Sequence, residues 1–336
     1  MPLPLPATYP PMEAESVAAI PEGTEWQYEP KWDGFRCLAF CDAEQIDLRS
    51  KSGQPLGRYF PDIVAALLRA APQRFVLDGE IVILVDGSPS FEELQLRLHP
   101  AASRVQKLAA AHPATYRVFD LLADADGQDL TARPLAQRRA ALERLMPGLR
   151  DPALALSPVT RDPAVARGWL DRLAPGQDGV VAKRLDLPYR SGRRDGMMKV
   201  KTARTADCVV GGFRYLKNTR EVGSLLLGLY DAEDRLDHVG FTATIARAER
   251  PALTRKLEAL AGGAGFTGRA PGGPSRWSTE KSTEWQAVEP VLVVEVQYDH
   301  VSAARFRHGT TLLRFRPDKA PKQCRLEQIL PQAGGG

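Results

Sequence analysis

The sequence predicts an α+β protein in two domains, the first over residues 1–202 and the second over residues 203–330, with a short flexible tail at 331–336. Three features carry that prediction. At 336 residues the chain is longer than one hydrophobic core ordinarily serves. Ahead of residue 203, strand-like runs alternate with amphipathic helical stretches, as in a sheet with flanking helices. Past a break in composition near residues 203–206 the pattern changes. Runs at 207–215, 224–231 and 236–244 are short and evenly spaced, one helical pattern spans 247–261, and a strand returns at 291–298. Strands, one helix, then strands again is the order of a small Greek-key barrel of the oligonucleotide-binding (OB) type.

Taken in order, residues 1–24 are rich in proline and polar side chains and read as an extended lead-in wrapped on the first domain. Between 26 and 48, two strand-like segments flank a turn at Asp33-Gly34, and a basic turn, Arg49 to Gly53, follows. Apolar residues at 63, 64, 67 and 68 form a helical stripe. The run from Phe75 to Val85 is a buried-strand pattern interrupted by Asp78 and Glu80, and Ser90 with Glu93 forms a capping signal for a helix reaching Leu98. A strand over 115–122, a basic amphipathic helix over 135–146, and a helix opened by Asp162-Pro163 and stopped by Pro175-Gly176 come next. Strand patterns at 178–184 and 197–202 then bracket an arginine-rich turn.

Bulk properties narrow the classes of function. With 43% hydrophobic and 26% charged residues the composition is globular, and no stretch approaches the roughly 18 apolar residues that cross a bilayer. The opening Met1-Pro2-Leu3-Pro4-Leu5-Pro6 lacks the basic and apolar regions of a secretory signal, so a cytoplasmic location is expected. The cysteines at 37, 41, 208 and 324 contain no CxxC pair, and the histidines at 99, 112, 238, 300 and 308 show no zinc spacing, so any metal should have oxygen ligands. Net charge is only +4, but the cations cluster. Arg190, Arg193, Arg194, Lys199, Lys201 and Arg204 form one group, and Arg305, Arg307, Arg314, Arg316 and Lys319 another. Both clusters suit a polyanionic partner.

Chemistry concentrates on Glu29-Pro30-Lys31-Trp32-Asp33-Gly34-Phe35-Arg36. In an extended chain Glu29, Lys31 and Asp33 project to one face, leaving a single potential nucleophile there. An ammonium becomes nucleophilic only on losing its proton, and partial burial beside other cations lowers a lysine pKa from about 10.4 toward neutrality. Lys31 is therefore the lead catalytic residue. Burying Asp78 and Glu80 without partners would be costly, so both should face a cation or ligand. Alternation places Lys199 and Lys201 on one face, with Met198 and Val200 on the other, and two adjacent lysines call for an anion such as a phosphate chain.

Six segments together resemble the motifs of ATP-dependent DNA ligases: Lys31-Trp32-Asp33-Gly34, Leu77-Asp78-Gly79-Glu80, Phe119-Asp120, Asp178-Gly179-Val180-Val181-Ala182-Lys183, Met198-Lys199-Val200-Lys201 and Arg314-Phe315-Arg316. The likeness spans residues 10–325 and is nearest to the compact two-domain bacterial type, ligase C and the ligase portion of ligase D. RNA ligases and GTP-using capping enzymes share the lysine motif, and a non-catalytic nucleic-acid-binding scaffold would share the OB-fold. The resemblance implies an ATP-grasp-like nucleotidyltransferase domain of antiparallel sheets with flanking helices, followed by an OB-fold β-barrel. It implies nick sealing in three steps through lysyl-AMP on Lys31, with ATP and Mg²⁺ (or Mn²⁺) as cofactors.

Further roles follow from the same resemblance. Glu29, Arg36, Arg49, Glu80, Phe119, Lys199, Lys201 and Arg314 would bind the nucleotide, with Phe119 stacked on adenine. Glu80 and Asp178 would hold metal, and Arg190, Arg193, Arg194, Arg316 and Lys319 would meet DNA or phosphate. The implied partners are nicked duplex DNA and a repair polymerase or primase, with the protein acting as a monomer away from membranes. Two departures stand out: Asp178 where many ligases carry glutamate, and a proline, Pro317, directly after Arg316.

Overall fold

The computed structural model describes residues 3–43, 45–70, 74–85, 87–171, 177–201, 204–272 and 284–330. Contacts divide the chain into two compact units, Met1–Thr202 and Ala203–Gly336. In the first unit the strands and helices run β1 (Glu15–Ser16), β2 (Trp26–Trp32), β3 (Phe35–Asp42), β4 (Gln45–Ser50), α1 (Pro61–Ala70), β5 (Arg74–Val85), β6 (Ser88–Pro89), α2 (Phe91–Arg97), α3 (Ala102–Ala111), β7 (Ala114–Ala123), α4 (Leu135–Leu145), β8 (Leu154–Leu156), α5 (Pro163–Asp171), β9 (Gln177–Arg184) and β10 (Met197–Val200). They build two sheets, one ordered β1-β10-β9-β2 and the other β4-β3-β5-β7-β8 with β6 paired to β5. Among the described residues, the β1/β10 and β7/β8 ladders of this unit are parallel and its other ladders antiparallel.

Period-two alternation explains how both faces of these strands are buried. On β3, Cys37, Ala39 and Cys41 join a core with Phe60, Ile63 and Leu67 on and ahead of α1, whereas Leu38 and Phe40 join a cluster with Met12, Tyr189 and Met197 between the two sheets. On β5, Phe75, Leu77, Ile81 and Ile83 take the helix side. Val76 takes the inter-sheet side, and alternation sends Asp78 and Glu80 there with it. In the other sheet Trp26, Tyr28, Val180 and Ala182 pack against Ala166 and Trp169 of α5. That leaves Gln27, Glu29, Lys31, Val181 and Lys183 for the opposite face.

In the second unit β11 (Arg204–Tyr215), β12 (Val222–Tyr230), β13 (Leu236–Thr242), α6 (Arg250–Ala259), β14 (Gln286–Ala287), β15 (Val293–Tyr298), β16 (Val301–Ser302), β17 (Arg305–Phe306) and β18 (Thr311–Phe315) follow in order. An antiparallel sheet runs β13-β12-β11-β15-β18 with β14 on β11, and β16 and β17 form a separate hairpin. A bridge from Thr242 to Thr310, just ahead of β18, brings the two edges of that sheet together. Its core gathers Val209, Phe213, Leu227, Val239, Leu257 and Val294.

Differences from the sequence reading are local. The lead-in contributes β1, paired to Met198 and Lys199. Helix α3 and strand β8 were not anticipated: α3 buries only Val105, so its stripe is faint, and β8 is three residues long. The Pro175-Gly176 stop and the tail at 331–336 lie outside the described residues. All four cysteines are buried and free.

Candidate active site

Three strands from each sheet of the first unit line a cleft of about 230 Å³: β2, β9 and β10 with β3, β5 and β7. Its walls include Glu29, Lys31, Trp32, Arg36, Glu80, Phe119, Lys183 and Lys199, together with Met12 and Glu13 of the lead-in and Lys51 of the basic turn. A register shift between Lys31 and Trp32 breaks the alternation of β2, which is how Trp32 comes to line the cleft beside Lys31.

The Lys31 side chain is 20% exposed, and its Nζ donates to Asp178 Oδ2. Lys201 approaches the same carboxylate at 3.4 Å. Burial lowers the Lys199 pKa, and the charges of Lys31, Lys201, Lys51 and Arg194 lower it further. Lysines crowded in this way around one shared carboxylate suit an anion. Gly34 and Gly179 are required by packing: a Cβ on Gly34 would lie 2.1 Å from the Ile81 carbonyl oxygen, and one on Gly179 2.1 Å from that of Val200.

Glu29 is buried, accepting from Gln27 Nε2 at 2.9 Å and from Lys183 Nζ at 2.7 Å. Lys183 Nζ also lies 4.2 Å from the centroid of the Phe119 ring, and the Arg36 guanidinium 4.5 Å from it. Arg36 in turn grips Asp78 with both prongs at 2.6 Å, and Tyr189 donates to the same carboxylate at 2.6 Å. Asp78 therefore faces a cation, as its burial required. Glu80, with no such fork, has its carboxyl pushed up to about 7 by burial, against the pull of Arg36 and Lys31. An oxygen of Asp33 lies within 4.8 Å of one of Asp178.

Several other anticipated residues are tied to partners of their own. Arg49 bonds Asp47 and the Gly53 carbonyl and is absent from the cleft wall, where Lys51 stands instead. Arg190 and Arg193 pair with Asp195, and Arg194 pairs with Glu13. In the second unit, Arg314 donates to Glu295 at 2.6 Å, while Arg316 and Lys319 both hold Asp207, at 2.9 and 2.7 Å. Lys183, Lys51, Tyr189 and the lead-in residues Met12 and Glu13 were not singled out from sequence. Lys183 had a signal in closing the motif that begins at Asp178, two residues beyond Val181 on the cleft face of β9, and Lys51 had one in the basic turn after β4.

A family model described as the ATP dependent DNA ligase domain matches residues 11–201, and one for the ATP dependent DNA ligase C terminal region matches residues 218–319. The chain is 44% identical to DNA ligase C2 of Mycolicibacterium smegmatis over 345 residues, covering 98% of this chain and 96% of that protein. With DNA ligase C of Mycobacterium tuberculosis it shares 42% identity over 346 residues, at the same coverage of 98% and 96%. Among solved structures, a mycobacterial DNA ligase D complexed with ATP and MES matches with a TM-score of 0.53 and 29% identity, covering 95% of this chain and 98% of that one. A two-sheet cleft built around a half-buried lysine and likeness along nearly the whole chain agree: the protein belongs to the ATP-dependent DNA ligases.

Proposed function

We propose that this ATP-dependent DNA ligase seals nicks in duplex DNA by way of AMP carried on Lys31, with residues 1–202 as the adenylation domain and 203–330 as the OB domain. The observation that carries the reading is the placement of Lys31 Nζ on Asp178 in the same cleft as Lys199 and Phe119. In the first step the deprotonated Nζ attacks the α-phosphorus of ATP; the N–P bond forms as the bond to the bridging oxygen breaks and pyrophosphate leaves. AMP then passes to the 5′-phosphate of the nick, and the 3′-hydroxyl displaces it. Lys199 and Lys201 stabilise the charge that develops on phosphate, and Asp178 orients the attacking amine. Phe119 stacks on adenine, with Glu29 at its edge and Arg36 toward the ribose and phosphates.

The carboxylates of Glu80 on the cleft wall, and of Asp178 with Asp33 beside it, are the donor type that a hard cation takes. Mg²⁺ (or Mn²⁺) would be held by Glu80 and Asp178 and would supply neutralising charge to the triphosphate. Arg314 is assigned to the nucleotide, and Arg190, Arg193, Arg194, Arg316 and Lys319 to DNA phosphates. The protein acts as a monomer in the cytoplasm, following a repair polymerase or primase. No helix among the described residues is long and apolar enough to cross a membrane.

Lys31→Ala tests the reading. Incubated with labelled ATP, with GTP in parallel, the variant should form no covalent adduct and seal no nick while keeping its fold and DNA binding. An adduct persisting in Lys31→Ala, or formed from GTP in preference to ATP by the unaltered protein, would overturn it.

A further inference from the structure

The cations at the cleft form one group, in which Lys31, Lys201, Lys51 and Arg194 all act on Lys199. Two carboxylates hold them in place. Asp178 takes Lys31 and Lys201, and Glu13 takes the other two, contacting Lys51 at 3.0 Å and Arg194 at 3.2 Å. Glu13 and Lys51 both line the cleft. Lys51 and Arg194 are 59% and 70% exposed, the profile of long side chains able to change partners in water.

The attachment of Glu13 is divided between backbone and side chain. Its backbone N–H donates to the Arg193 carbonyl at 2.8 Å. The preceding residue, Met12, is buried, donates its N–H to Tyr189 Oη at 2.9 Å and accepts from Arg36 at 3.4 Å. The lead-in is thus fixed by bonds that do not involve the Glu13 carboxylate. That carboxylate can release its two cations without moving the strap.

We propose that Lys51 and Arg194 form a phosphate subsite at the cleft, occupied in the free protein by the carboxylate of Glu13, which a substrate phosphate must displace. The phosphate comes from the triphosphate tail of ATP or from the 5′-phosphate of a nick. Either carries oxyanion charge like that of the group it replaces, and a phosphate offers more acceptor oxygens to the arginine fork. Glu13 thereby tempers affinity for phosphate and keeps the two cations oriented between turnovers.

This inference rests on the cleft being the nucleotide site, and calorimetry in a Lys31→Ala background separates the two ideas, because no adenylate can form there. ATP, AMP, a 5′-phosphorylated nicked duplex and the same duplex with a 5′-hydroxyl are titrated in turn. Adding Glu13→Gln should tighten ATP about fivefold with AMP unchanged, or tighten the 5′-phosphorylated nick by that factor with the 5′-hydroxyl nick unchanged. The first result places the ATP tail in the subsite and the second the DNA end. Adding Lys51→Ala as well should abolish the gain. Equal or weaker binding of both phosphorylated ligands in Glu13→Gln, or a gain that persists without Lys51, overturns the proposal. Failure of ATP to bind the Lys31→Ala protein at all would instead overturn the assignment of the cleft.

Discussion

Asp78 shows how one side chain organises the cleft. Its carboxylate is fully buried and accepts from Arg36 and Tyr189, and Arg36 and Lys183 both lie over the Phe119 ring. Replacing Asp78 with Asn keeps the shape but leaves the Arg36 guanidinium without its counter-charge. Losing one member of a buried pair costs about 3 kcal/mol. Asp78→Asn should lower stability by that amount in urea unfolding and weaken ATP binding with it; a variant as stable as the parent would contradict the role given to the pair. His238 is the complementary case in the second unit. Burial first, then the charges of Arg305 and Arg214, push its pKa from 6.5 down to about 3. The unfolded chain takes up a proton near pH 6.5 that the folded one refuses until about pH 3, so folding stability falls as pH drops through that window. The slope contributed is at most about 1.4 kcal/mol per pH unit. Urea melts of the full chain from pH 7 to 5 should lose that slope in His238→Gln, whose amide oxygen can still accept from Arg305; unchanged slopes would refute the assignment.

Among the elements, the β16–β17 hairpin is joined by Ala303 and Ala304, with φ of 47° and 56°. Positive φ at both central positions is the geometry of a type I′ turn, which asparagine and glycine adopt with far less strain than alanine. Ala303→Asn with Ala304→Gly should therefore raise stability by about 1 kcal/mol. A melting temperature that stays level or falls would show that the turn is not under strain. Strand β2 illustrates the opposite use of irregularity. Its bulge after Lys31 adds Trp32 to the cleft wall, and Trp32 Nε1 is then satisfied by Ser157 Oγ at 2.9 Å.

For the whole molecule, the modest net charge of +4 conceals clusters of cations that are individually paired with acids, Arg190 with Asp195 and Arg316 with Asp207 among them. Such pairs hold the cations in position while leaving the exposed ones free to exchange an acid for a DNA phosphate. Each phosphate neutralised releases counterions, so binding to nicked duplex should weaken steeply with salt, by about 10³-fold between 50 and 200 mM for six or more contacts. Fluorescence anisotropy with a labelled nick measures this directly, and salt-independent binding would exclude a phosphate grip.

The sequence by itself determined the strands that carry the chemistry, because period-two alternation is a local property. It sent Lys31 and Glu29 to one face of β2, Lys199 to one face of β10, and Asp78 and Glu80 against a cation or ligand. It also located the cation clusters. Only the tertiary structure decided which groups meet across elements. Asp178 against Lys31, Lys183 against Glu29 and Glu13 between Lys51 and Arg194 join residues 147, 154 and up to 181 positions apart. No pattern within a segment encodes such contacts; the first two exist because distant strands β2 and β9 pair in one sheet, and the third because the lead-in reaches both the turn after β4 and the arginine-rich turn. For the same reason Lys51 rather than Arg49 reaches the cleft: the turn after β4 sets its direction, and the lead-in folded over that turn supplies its partner.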